Sequence, residues 1–227
     1  MSPSRSPTRS CGVLIPAYNE ASRLACVVKT ALGAALGPVL VVDDGSTDAT
    51  AAVAREAGAD VLTLPHNLGK GGAVFEGARK LQADVVVMVD ADLIGLTEAH
   101  LRSLAQPVLD DKVEMTRGIF VGGRWRTTTA QRIAPQLNGQ RGIVREQLLE
   151  VAGLRLSRYG IEIAITEHAK RARWRTLDVP MPDVSQVMKE EKRGVVPGFL
   201  IRLKMYREIL GTWLRNLVGM SKEETNG

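Results

Sequence analysis

The sequence predicts an α/β fold, a single domain with a mostly parallel central sheet flanked by helices. Three observations predict it. Short apolar runs rich in β-branched residues recur at Gly12-Val13-Leu14-Ile15, at Val39-Leu40-Val41-Val42 and within Asp84-Val85-Val86-Val87-Met88-Val89-Asp90-Ala91-Asp92-Leu93. Such runs are too short for most helices and suit strands buried on both faces. Helical patterns alternate with them in the order expected of βαβ units with right-handed crossovers. The length, 227 residues, suits one large α/β domain, and no internal repeat competes with this reading.

Residues 1–10 are polar, rich in Pro and Ser and without periodicity, so they read as a disordered tail. The first strand, 12–15, is stopped by Pro16, and Pro16-Ala17-Tyr18-Asn19-Glu20 makes a turn. Asn19 is expected to cap a helix that runs to about Leu32, with Gly33 and Gly37 punctuating its end. The second strand, 39–42, ends in two acids, Asp43 and Asp44. Gly45-Ser46-Thr47-Asp48 then reads as a turn and cap for an Ala-rich helix from Ala49 to Ala57, closed by Gly58 and followed by a third strand from Ala59 to Leu64.

His66-Asn67-Leu68-Gly69-Lys70-Gly71-Gly72-Ala73 is a glycine-rich loop feeding a helix to about Leu81. It is no P-loop, because Gly71 rather than Ser or Thr follows Lys70 and position 64 is not glycine. Nor is it Gly-x-Gly-x-x-Gly, since Val74 follows where the third glycine belongs. Two readings remain: a backbone-lined anion site at a helix N-terminus with Lys70 adding charge, or a plain turn with a solvated lysine.

The chemistry is expected where the 84–93 run ends. At the carboxyl end of a strand in an open α/β sheet, side chains project into the ligand crevice, and residues two apart on extended backbone point the same way. Asp90 and Asp92 are therefore placed to share one hard cation, Mg2+ or Mn2+, which would grip a nucleotide diphosphate while keeping some water. Asp-x-Asp is short enough to arise by accident, and its position is what gives it weight.

Cys11 and Cys26 form neither a disulfide framework nor a metal-ligand spacing, and reduced thiols in a cytoplasmic protein are expected. The sequence holds no charge-free apolar run of about 20 residues and no signal-peptide pattern. A formal charge of +5 allows an anionic partner: a nucleotide-sugar, a phospholipid surface or a phosphorylated acceptor. Nucleic acid is disfavoured, because the basic residues are spread out and aromatics able to stack bases are few.

Four stretches in order, Ile15-Pro16-Ala17-Tyr18-Asn19-Glu20, Val41-Val42-Asp43-Asp44-Gly45-Ser46-Thr47-Asp48, Asn67-Leu68-Gly69-Lys70-Gly71-Gly72-Ala73 and Asp90-Ala91-Asp92, resemble the motif series of family-two glycosyltransferases with the GT-A fold. The match is strong over the first half of the chain and holds in outline over the second. The resemblance implies transfer of a sugar from a nucleotide-sugar donor. It places Pro16, Ala17, Tyr18 and Glu20 around the nucleoside, gives one of Asp43 and Asp44 to the base, and sets Lys70 and Gly71 near the base or diphosphate. Asp90, Ala91 and Asp92 then meet ribose and metal. A divalent cation preplaced there would stabilise the charge on the departing diphosphate more than it stabilises the ground state.

Beyond Leu93 the pattern predicts a helix from Thr97 to Leu104, capped by Thr97 and ended by Pro107, then a strand over 112–121. Arg124-Trp125-Arg126 faces an acceptor or phosphate, or is a solvated loop. Leu137-Asn138-Gly139-Gln140-Arg141-Gly142 resembles the acceptor-side turn of the same family, with Arg141 bound to donor diphosphate or acceptor phosphate, or else to a structural carboxylate. Tyr159-Gly160-Ile161-Glu162 opens a helix to about Lys170. Glu162 is similar in position to the family's acidic residue facing the acceptor, the general base of inverting members, or is a helix-start acid favoured by the dipole. His168 reads as structural.

A last strand is expected over 174–180. Residues 184–194 resemble a segment that in relatives folds over the donor, where Gln186 is the candidate third metal ligand. Sugar phosphoglycerate synthases, which the Tyr-Gly-Ile-Glu stretch also resembles, have histidine there. From Phe199 on, apolar residues at helical spacing with interspersed Arg and Lys predict an amphipathic helix over 195–220. That helix packs on the domain, on a second subunit in a homodimer, or on a membrane surface. A tail follows at 221–227. The domain thus covers 11–194, and the expected enzyme moves a sugar from a UDP- or GDP-sugar to a polyprenyl phosphate or a small phosphorylated acid. The competing readings are a sugar nucleotidyltransferase and a non-catalytic nucleotide-binding module of the same fold.

Overall fold

The structure, a computed structural model, describes residues 9–121, 138–157 and 160–186. Its elements are β1 (Cys11–Ala17), α1 (Ala21–Gly33), β2 (Val39–Asp43), α2 (Thr50–Glu56), β3 (Asp60–Thr63), α3 (Lys70–Lys80), β4 (Val85–Met88) and β5 (Leu93–Ile94). They continue with α4 (Glu98–Leu109), β6 (Met115–Val121), β7 (Arg141–Val144), α5 (Arg145–Glu150), a 3₁₀ turn (Leu154–Leu156), α6 (Ile161–Arg171), β8 (Thr176–Pro182) and β9 (Ser185–Gln186).

Seven strands form one sheet in the order β3-β2-β1-β4-β7-β6-β8. Strands β1 to β4 run parallel, and β7 lies antiparallel between β4 and β6. The β6 and β8 strands are parallel to each other, so the sheet is mostly parallel, as expected. Every residue of β1, β2 and β4 is buried, which is why these strands read as continuous apolar runs rather than alternating ones.

Alternate residues feed two cores. Val13, Ile15, Val41, Val85 and Val87 pack with Leu24 and Val28 of α1 and Leu101 and Leu104 of α4 on one face. Leu14, Val42, Val86, Met88 and Ile143 pack with Val74 of α3, Leu148 of α5 and Ile161 and Ile165 of α6 on the other. Each fully buried Val, Leu or Ile contributes roughly 1.5–3 kcal/mol relative to exposure, which favours this double-sided sheet over an open one.

Several expectations are corrected. Asn19 does not cap α1: its φ of 55° turns the chain, and its Oδ1 accepts hydrogen bonds from the amide (2.9 Å) and hydroxyl (3.3 Å) of Thr47. Glu20 takes the cap position without a side-chain bond. Pro107 does not end the fourth helix, which continues to Leu109 with the proline inside it. Only one intrahelical hydrogen bond is lost there, and Pro107's own carbonyl accepts from Lys112 at 3.0 Å. Thr97 does cap this helix, in a capping box with His100.

The stretch 137–142, expected as a turn, opens β7 at Arg141, whose register partners are Met88 and Arg117. The strand is four residues long and begins with an arginine, so no apolar period marks it. The expectations for 1–8, 124–126, Leu137, Tyr159 and the segment from 187 onward, the amphipathic helix included, lie outside the described residues. Among the described residues no helix is long and apolar enough to cross a membrane.

Candidate active site

The order β3-β2-β1-β4 makes the chain depart from β1 to one side first and then return to the other, so a topological switch point lies between β1 and β4. Crevices at the carboxyl ends of strands beside such a point are where open α/β sheets bind ligands. The loops after β1, β2 and β4 meet there, and so does the start of α3.

The first two loops are tied to each other. Asn19 N–H donates to Ser46 Oγ and Glu20 N–H to Thr50 Oγ1, both at 2.9 Å. Asp48 accepts from Ala21 N–H at 3.3 Å and from Thr50 N–H at 3.0 Å. The first amides of α1 are therefore capped by the neighbouring loop rather than by Asn19. Of the residues expected around a nucleoside, Pro16 and Ala17 are buried at the end of β1, Glu20 is half-buried, and Tyr18, 40% exposed, stands open.

Asp43 and Asp44 are both buried. Asp43 Oδ1 accepts from Ser46 N–H at 3.1 Å. Asp44 spans the glycine-rich loop, its Oδ1 accepting from Leu68 N–H at 2.7 Å and its Oδ2 from Gly69 N–H at 2.9 Å. The helix after that loop starts at Lys70 itself, with Gly69 as its cap at φ 84°. The Gly71 amide donates to Ser157 O at 2.9 Å, and a Cβ on Gly71 would run into the carbonyl oxygens of Leu154 and Ser157. The anticipated backbone anion site at this N-terminus is thus filled by the protein's own Asp44 and Ser157. The glycine serves close packing instead of diphosphate contact.

Lys70 is not the free lysine of a plain turn. Its Nζ lies 2.6 Å from Asp90 Oδ1 and 2.6 Å from Glu162 Oε1, joining α3, the end of β4 and the first turn of α6. Burial opposes its charge, yet the fields of Asp90 and then Glu162 outweigh that and hold its pKa above the ordinary lysine value. Asp90 is 8% exposed and Glu162 9%. Gln140 Nε2 donates to Asp90 Oδ2 at 2.9 Å, while among the described residues buried Gln140 Oε1 has no donor. Gly139 lies against this group: a Cβ there would sit 2.6 Å from Lys70 Nζ and 2.9 Å from both Asp90 oxygens. Sequence reasoning missed Gln140 and Gly139. Their signal was adjacency to Arg141 in the resemblance, which gave them no role.

Asp92 follows in a half-buried turn. The two-stranded ribbon beyond it pairs Leu93 with Gln186, which brings the backbone of residue 186 beside the Asp90-Ala91-Asp92 segment. Arg141 departs most from expectation. It is fully buried, donating from Nη2 to Glu162 O and Thr166 Oγ1, both at 3.0 Å, and from Nε to Asn138 O at 3.3 Å. Burial pulls its pKa down to about 10. Covered on all sides, it is not open to a phosphate; it holds the first turn of α6, and with it Glu162, against β7.

Among the described residues no three His, Cys, Asp or Glu side chains gather as a complete metal cage. Two aspartates two residues apart, with an unpaired buried acceptor beside them, suit a cation such as Mg2+ that keeps phosphate and water oxygens in its shell.

Acids at the ends of β2 and β4 stand at this switch point, with buried Glu162 joined to Asp90 through Lys70, and the fold carrying them is that of a glycosyltransferase. The chain belongs to the family described as Glycosyl transferase family 2, which it matches over residues 12–173. The glycosyltransferase AglJ of Haloferax volcanii is 31% identical over 218 residues, 86% of this chain and 70% of that protein. Human dolichyl-phosphate beta-glucosyltransferase is 38% identical over 104 residues, which is 38% of this chain but 32% of the human protein, so the shared part spans about a third of that enzyme. The fold superposes with a TM-score of 0.73 on glucosyl-3-phosphoglycerate synthase from Mycobacterium tuberculosis, solved with Mn2+, UDP and phosphoglyceric acid, at 23% identity over 91% of this chain and 78% of that one.

Proposed function

We propose that this chain is a divalent-metal-dependent glycosyltransferase that moves a sugar from a nucleoside-diphosphate sugar, UDP- or GDP-linked, to a phosphorylated acceptor. The observation that carries the reading is the convergence of Asp90, Lys70 and Glu162 at the carboxyl edge of β4, with Asp92 one turn beyond. The names of the relatives support a phosphorylated acceptor: dolichyl phosphate for the human enzyme and phosphoglycerate for the mycobacterial synthase.

In this reading Tyr18 and Glu20 face the nucleoside, with Asp43 holding the loop beneath it. Asp90 and Asp92 are the metal ligands, and Gln186, whose backbone pairs with Leu93, is the candidate third. When bound, Mg2+ or Mn2+ would neutralise the diphosphate and stabilise the charge of the leaving group. Glu162 takes the acceptor's proton where the acceptor presents a hydroxyl. Arg141 positions Glu162 through its backbone carbonyl, and Lys70 bridges the Glu162 and Asp90 carboxylates.

The test is donor hydrolysis and transfer with a panel of UDP- and GDP-sugars in Mg2+ or Mn2+. Asp92→Ala should lower metal-dependent turnover by about a hundredfold or more, the scale of losing an electrostatic stabiliser of a transition state. Full metal-dependent turnover in that variant would sink the assignment.

A further inference from the structure

Lys70 sits where charge has to change during any binding event at this crevice. Its ammonium is shared between one acid of the Asp90-Ala91-Asp92 segment and the glutamate of α6, at 2.6 Å each. Gly139 closes the remaining space against Nζ and both Asp90 oxygens, and Gln140 holds the other oxygen of Asp90. Nζ therefore touches two carboxylates at once, and its side chain stays 26% exposed. A lysine head is a compact point charge on a flexible stem, able to move between partners in a way that a guanidinium fork is not.

From this geometry we infer that Lys70 is a resident counter-ion that exchanges with the incoming divalent cation. It leaves Asp90 for Glu162 when the cation arrives, so that the strength of metal binding is set by a residue, Glu162, that does not touch the metal. The inference rests on the reading of Asp90 as a metal ligand. Two positive charges cannot both sit on Asp90 Oδ1 in so poorly solvated a place, because their mutual repulsion there is far larger than in water. Glu162 gives the displaced ammonium a second carboxylate, and without it the lysine has nowhere to go but back to Asp90. The lysine is in this account a positioning residue: it vacates Asp90 Oδ1 for the metal and neutralises the carboxylate on the acceptor side.

The experiment is a Mn2+ titration of the whole chain followed by electron paramagnetic resonance, with no nucleotide present and then with UDP or GDP. Lys70→Met should tighten Mn2+ binding about tenfold without nucleotide, since the competing charge is gone. Glu162→Gln should weaken Mn2+ binding by about threefold or more when Lys70 is present, and by less than about twofold in the Lys70→Met background. Equal penalties in the two backgrounds would overturn the exchange while leaving the metal assignment standing. Absence of Mn2+ binding to the wild-type chain with either nucleotide would overturn both. Should Lys70→Met fail to fold, the Glu162→Gln chain decides alone, because unchanged Mn2+ affinity there contradicts the exchange.

Discussion

The two sides of β4 are built differently. On one side β1, β2 and β3 run parallel and carry their site residues on the loops immediately after the strands, where loop is tied to loop across 24 to 30 positions. On the other side β7, β6 and β8 mix directions, and Gln140, Arg141 and Glu162 are held by contacts that join strand ends to a helix and to the end of β4. What separates the halves is the kind of element joined, and with it what a mutation breaks. A change in a parallel-side loop loosens its neighbouring loop, whereas a change at Arg141 removes a brace between a strand and a helix.

That contrast is open to breaking. Arg141→Met should be the most damaging: Asn138 O and Thr166 Oγ1 lose their guanidinium donor, while Glu162 O keeps the Thr166 hydroxyl, at about 1–3 kcal/mol for each acceptor left unsatisfied. Arg141→Lys should rescue little of it, since a single ammonium cannot reproduce the fork. Denaturant midpoints measure this, and if Arg141→Met were as stable as wild type the brace would be no brace. Next comes Gly71→Ala, whose added methyl meets the carbonyls of Leu154 and Ser157. The expected loss is about 1–3 kcal/mol, the usual cost of overpacking, and a lack of effect would mean that the 154–157 segment yields freely.

The smallest effect is acidic. Hydrogen bonds from Arg175 hold Glu114 below its ordinary pKa, tying the approach to β6 to the approach to β8. A carboxylate whose pKa is depressed in the folded state contributes stability above its unfolded pKa, about 4.3, and loses it as the pH falls through the folded one. The stability of Glu114→Gln should therefore differ from wild type at pH 7 and converge on it as the pH falls below about 4, in parallel thermal melts. A constant difference across that range would show that the carboxylate charge is not involved.

Much of the parallel side was legible in the sequence because buried parallel strands announce themselves as apolar runs bounded by turn residues. The runs at 12–15 and 39–42 fell inside observed strands, and the run at 84–93 contains β4 at its start. The loop chemistry was less legible: Asn19 and Asp48 have the residue types of local caps, but they bond across to each other's loops, a choice made by tertiary packing. Gly71 signalled an anion site and serves a close approach, since a glycine advertises space without saying what fills it. On the other side, β7 was missed because a fully buried arginine defies the expectation that charged residues stay outside. Glu162 and Lys70 were both named through the resemblance without their pairing, because sequence spacing across 92 positions carries no distance.

Under the proposed function, the cross-tied loops after β1 and β2 bear on donor choice. With residues 19–21 and 46–50 stitched together by side-chain bonds at both ends, neither loop has a hinge of its own, and the shape offered to a purine or pyrimidine is settled when the polypeptide folds. Switching base preference in such a scaffold would demand paired replacements on both loops at once, and single replacements would trade selectivity for looseness.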